Sequence, residues 1–89
     1  MLDSKADAPA TNAVDAHIGE RAAARRKTLG LSLGDVAQAL GVDGAVMVDL
    51  EHGRRRIAAR QLWALSRRLE VPMAWFFKTP GHVAFIRLH

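Results

Sequence analysis

From residue 18 onward the chain sets apolar side chains three and four positions apart, the spacing of one face of an α-helix. Ile18, Ala22 and Leu29 mark a first helix, and Gly30 is placed to stop it in a left-handed conformation that glycine reaches cheaply. Ser32 then stands as an N-cap with Asp35 three residues on, a short-armed version of the capping box. Leu33, Val36, Ala37 and Leu40 give a second helix, which Gly41 closes. Asp43 is expected to cap a third helix, from Gly44 to His52, whose inward face is Met47 and Leu50 and which Gly53 ends. Ala59 to Leu69 follows as a fourth helix, with Leu62, Leu65 and Leu69 inward and Arg60, Arg67 and Arg68 outward. Pro72 opens a short fifth helix through Trp75, Phe76 and Phe77.

The two ends read differently. Residues 1–16 are rich in Ala, Asp, Pro, Thr and Asn without apolar periodicity, and are expected to form a disordered arm. After the Thr79-Pro80-Gly81 turn signal, His82 to His89 alternates imperfectly and reads as a tail with a candidate strand. The pattern therefore predicts an all-α, compact five-helix domain over residues 17–78, between an arm and a tail spanning 79–89.

Composition narrows the chemistry. With 89 residues the chain accommodates one domain of modest stability, and with no cysteine it has neither disulfides nor thiolate metal sites. No apolar run approaches the roughly 20 residues that span a bilayer, and the first residues lack the basic-then-apolar order of a secretory signal. A soluble, cytoplasmic protein without membrane association is the expectation. His17, His52, His82 and His89 are scattered, no spacing suits a metal, and neither a phosphate-binding glycine loop nor a nucleophile beside a base is present. We therefore expect no enzymatic activity, no cofactor and no metal. Trp63, Trp75, Phe76 and Phe77, which could stack on bases, fit core or dimer-interface packing better by their helical spacing.

Charge adds a direction. The formal net charge is +4, but residues 1–16 carry Lys5 against Asp3, Asp7 and Asp15, so the remainder holds +6. That charge is clumped at Arg25-Arg26-Lys27, Arg54-Arg55-Arg56 and Arg67-Arg68. Clumped basic charge on a small domain suits a polyanion, nucleic acid first, although a solvated face that aids solubility would look the same.

Two short helices joined by Gly41-Val42-Asp43 make a helix-turn-helix, the arrangement that sets a second helix into the major groove of DNA. Here the sequence resembles the Cro/repressor-type (XRE-like) helix-turn-helix domain. The resemblance runs from Ile18 to Phe77, about 60 of the 89 residues, through "IGER", "RRKTLGLS", "DVAQALGV", "DLEHGRRR" and "LWALSRRLEVPMAWFF" in order. It implies a Cro/repressor-like bundle that binds double-stranded DNA as a homodimer with half-sites one helical turn apart, regulating transcription at the nucleoid. It places Arg26 and Glu51 at an ion pair tying the first helix to the third. Arg54, Arg55 and Arg56 fall on the loop that contacts phosphates, and Ser32 at a helix start that can face one.

This chain departs from the family where bases are read. Asp43, Gly44, Ala45, Val48 and Asp49 occupy the start and outer face of the third helix, with Val46 beside them, and Leu33 replaces a common glutamine. Gly, Ala and Val make no bidentate hydrogen bond to a base edge, and of this set only a carboxylate can accept from cytosine N4. One reading keeps DNA binding through the arginines, with apolar contacts from Ala45 and Val48 to thymine methyls. A second makes Leu33, Val46 and Val48 an exposed apolar patch that docks another regulatory protein, and a third takes them as tolerated surface residues on a weakened copy of the fold.

Overall fold

The structure, a computed structural model, describes residues 13–78. Residues 1–12 and the tail from 79, with its candidate strand, lie outside the described residues. Within them the chain is all-helical. Helix α1 spans Ala13–Thr28, α2 Leu33–Leu40, α3 Gly44–Glu51 and α4 Ala59–Leu69, and a 3₁₀ helix covers Met73–Phe77. The fifth helix expected after Pro72 is thus a single stretch of 3₁₀, with the Trp75 N–H bonded to the Pro72 carbonyl.

Helix α1 begins at Ala13, so the last residues of the stretch read as an arm are helical. Asp15 explains why. Its side chain is buried in the first turn of α1 and accepts a hydrogen bond from the Ile57 N–H at 3.3 Å, binding the start of the helix to the loop before α4. An acid in a first turn also suits the helix dipole. The partner lies 42 residues away, beyond the reach of any local pattern.

All four helices end alike. An N–H two or three residues past the last helical residue returns to the carbonyl five residues before it: Leu31 to Arg26, Val42 to Ala37, Arg54 to Asp49 and Val71 to Ser66. These are Schellman endings, which need a left-handed residue just before that N–H. Glycine supplies it at three, and Glu70, at φ 61°, at the fourth. Gly53 carries a second constraint, because a Cβ there would lie 2.6 Å from the Ala16 Cα. The turn after α3 consequently presses directly on α1.

Ile18, Ala22, Val36, Ala37, Met47, Leu50, Leu62, Leu65, Leu69 and Phe76 form one buried core. Helix α1 packs on α3 and the 3₁₀ helix, while α2 packs on α3 and α4. Of the aromatics among the described residues, only Phe76 is fully buried, and Trp75 meets it edge-on at 5.2 Å between ring centroids. Of the two placements expected for Trp63, core or dimer interface, the first is corrected: it is 54% exposed, its ring 5.1 Å from the Arg67 guanidinium. One step past Leu62 on α4, it has turned about 100° away from the core.

Candidate nucleic-acid interface

The α2–turn–α3 unit rests on two unequal helix starts. At α2, Ser32 Oγ accepts from the Asp35 N–H at 3.0 Å and the Ser32 N–H donates to Asp35 Oδ2 at 2.9 Å, a complete capping box. At α3, Asp43 holds the extended backbone of an N-cap but makes no side-chain capping bond. This corrects the sequence expectation. Asp43 is exposed, so water can serve both its carboxylate and the free N–H groups of the first turn.

The Ser32 backbone N–H, and after it the Ser32 hydroxyl, hold the Asp35 carboxyl below its ordinary 3.8. A lowered folded value means stability that is complete above the unfolded value and lost as pH falls through the folded one. Asp35→Asn should therefore lower the melting temperature at about pH 6, and by less at an acid pH at which the wild-type carboxyl itself takes up a proton. Thermal melts at the two pH values check this; an equal loss at both would mean the charge plays no part.

Behind α3, Arg26 grips Glu51 with two bonds, Nε to Oε2 at 2.7 Å and Nη2 to Oε1 at 3.1 Å, and its Nη1 donates to the Leu31 carbonyl at 3.1 Å. The side chains are 13% and 5% exposed, so this ion pair is sealed between α1 and the end of α3. The hydrogen bond to Glu51 raises the Arg26 pKa above its ordinary value.

The outer face of α3 is sparse. Gly44 and Ala45 are exposed; Val46, Val48 and Asp49 are half-buried. Leu33 and Val46 pack partly against the core, so the apolar patch drawn from Leu33, Val46 and Val48 offers less free surface than the sequence suggested. Val46 reaches the core from an α3 that packs on both α1 and α2. His52 Nδ1 hydrogen-bonds the Val48 carbonyl at 2.9 Å.

Arg54, Arg55 and Arg56 follow α3 on an exposed loop. Two of them turn back. Arg54 Nη2 and Nε each lie 3.1 Å from Asp49 Oδ1, and Arg55 Nη2 lies 3.9 Å from Asp49 Oδ2. The Schellman ending produces this, since its Arg54 N–H bond to the Asp49 carbonyl brings the two side chains over the same turn.

Sequence reasoning missed Arg21 and Arg25 as fastenings. Arg25 Nε donates to the Leu69 carbonyl at 2.9 Å and Arg21 Nε to the Trp75 carbonyl at 2.8 Å, with the Arg21 guanidinium 3.7 Å from the Trp75 ring centroid. Two of the three members of the 25–27 basic clump are therefore spent inside the fold. Their one local signal is the spacing of four, which puts Arg21 and Arg25 on one stripe of α1. Among the described residues no group of three or more His, Asp or Glu could hold a metal, and no helix is long and apolar enough to cross a membrane.

This architecture is that of the helix-turn-helix family, whose signature matches residues 23–76; the chain belongs to it and is of the Cro/repressor (XRE) type. Over 64 residues it is 39% identical to an uncharacterised transcriptional regulator in the ATPase CF(0) region of Rhodospirillum rubrum, covering 72% of this chain and 59% of that one. Of other curated relatives it spans about half the length. Its fold matches the restriction-modification controller protein C.AhdI from Aeromonas hydrophila, with TM-score 0.68 and 24% identity over 74% of this chain and 100% of that one. It also matches the biofilm master regulator SinR, solved in complex with DNA, with TM-score 0.62 and 26% identity over 68% of this chain and 98% of that one.

Proposed function

We propose that the chain is the DNA-binding part of a transcriptional regulator, docking as a homodimer on double-stranded DNA with α3 in the major groove. The observation that carries this reading is the run of exposed arginines 54–56 leaving the C-terminal end of α3 directly, in a family with a member solved on DNA. Arginines there meet phosphates on the rim of the groove that α3 enters. The capped start of α2 at Ser32, with Leu33 beside it, offers backbone N–H groups to a phosphate on the other side. The buried Arg26–Glu51 pair sets the angle of α3 from behind. Asp43, Gly44, Ala45, Val48 and Asp49 then face the bases. The uncapped first turn of α3 leaves its N–H groups for DNA, and Ala45 and Val48 suit thymine methyls.

The test is a binding titration with random duplex DNA across a salt series. Affinity should fall steeply with salt, with a log–log slope of about 0.9 per phosphate neutralised. Replacing Arg54, Arg55 and Arg56 together by Ala should flatten that slope, by about 2 to 3 on a high-affinity site selected from a duplex pool, where all three reach phosphates. Folded protein that fails to bind duplex at low salt would sink the reading.

A further inference from the structure

We infer that Asp49 is the side chain that determines selectivity, by holding Arg54 and Arg55 back from phosphates on DNA that sets no cytosine amino group before its carboxylate. The inference rests on the DNA-binding reading above and adds a mechanism to it. Asp49 is the one acidic side chain on the exposed face of α3 (Glu51 is buried under Arg26), and its carboxylate is 35% exposed. Both of its oxygens are engaged: Oδ1 by Arg54 at 3.1 Å and Oδ2 by Arg55 at 3.9 Å. The turn after α3 locks the arrangement in, because Gly53 is left-handed and the Arg54 N–H is bonded to the Asp49 carbonyl at 2.9 Å.

Two of the three loop arginines thus have an intramolecular anion in competition with phosphate. On DNA the same carboxylate, turned toward a base pair, finds acceptors on guanine, thymine and adenine N7, which repel it, and amino donors on cytosine N4 and on adenine N6, the second with the repelling N7 beside it. Where cytosine stands opposite, Asp49 exchanges an arginine for the amino group and the arginine passes to the backbone. Elsewhere it keeps its arginines or faces acceptors. A helix otherwise bare of polar base readers gains discrimination from a penalty on wrong sequences, which is specificity by repulsion.

Asp49→Asn separates this from a merely structural role, since it retains size and hydrogen bonding while losing the charge. Wild type and variant are titrated with random duplex across the salt series, with thermal melts to establish that both are folded. The variant should bind random duplex about tenfold more tightly at low salt, with a slope steeper by about 1 to 2 as the arginines are released. Arg54→Ala should weaken binding more in the Asp49→Asn background than in wild type. Selection from a randomised duplex pool should enrich a fixed cytosine for wild type and lose that preference for the variant. Equal affinity and slope for the two proteins would overturn the inference alone, as would weaker binding by Asp49→Asn, which would make Asp49 a support for the arginines. If neither folded protein binds, the DNA reading fails and the inference with it.

Discussion

Replacing Arg26 by Met is expected to cost about 3–5 kcal/mol, the penalty for leaving a buried carboxylate without its partner. Glu51 is 5% exposed on its side chain and takes both of its guanidinium bonds from Arg26, so water cannot take over once the arginine is gone. The Leu31 carbonyl loses its Nη1 donor in the same change. A domain of this size has a stability of about 5 kcal/mol, so the variant should melt at least about 12 °C lower or fail to fold. Converting both residues, Arg26→Met with Glu51→Met, removes the orphaned charge along with its partner. That variant should recover most of the loss, because a buried ion pair is often no better for stability than apolar side chains of similar volume. Denaturant unfolding of the two single variants and the double variant completes the cycle. A loss under about 1 kcal/mol for Arg26→Met would show that the pair is solvated in solution.

The pair matters beyond stability because it joins α1 to the end of α3. In the double variant the fold should survive while the position of α3 is set by apolar contact alone. Binding to a selected site should then weaken more than binding to random duplex, since phosphate contacts from Arg54–Arg56 tolerate a small tilt and base contacts do not.

What the sequence makes legible is what depends on neighbours a few positions apart. The apolar faces of α2 and α4, the Ser32–Asp35 box and the glycine endings are all written within one or two turns of chain. What stays hidden depends on distant partners. Asp15 looks like part of an acidic arm until Ile57 is seen to donate to it, and Arg21 and Arg25 look like surface charge until α4 and the 3₁₀ helix end beneath them. The Asp49–Arg54 pair crosses five positions, a spacing that no straight helix brings together, and needs the turn after α3 to exist. Trp63 shows the opposite limit: its place among helical apolar residues suggested burial, but its phase on α4 turns it outward.

Gly19→Ala is expected to be the most damaging small substitution in the domain. A Cβ at Gly19 would overlap the Leu50 carbonyl oxygen and lie 2.7 Å from that of Glu51, so the backbones of α1 and α3 touch here with no room for a methyl group. These oxygens belong to the last turn of α3, which a rotamer change cannot move. The helices must separate, which opens the packing of Ile18 and Ala22 on Met47 and Leu50 and stretches the Arg26–Glu51 bonds. The cost should exceed the 1–3 kcal/mol typical of overpacked side chains, since the obstacle is main chain; about 4 kcal/mol is a fair expectation. Gly34→Ala supplies the control. It is also a helical glycine, but its Cβ would meet only Ser32 Oγ at 3.7 Å, an ordinary contact. There the change should stabilise by about 0.5–1 kcal/mol, the usual helix preference of alanine over glycine. Chemical denaturation of the two variants should thus give opposite signs for one and the same chemical change. If Gly19→Ala melts within a few degrees of wild type, α1 and α3 are not in backbone contact and the rigid seating of α3 proposed above fails with that contact.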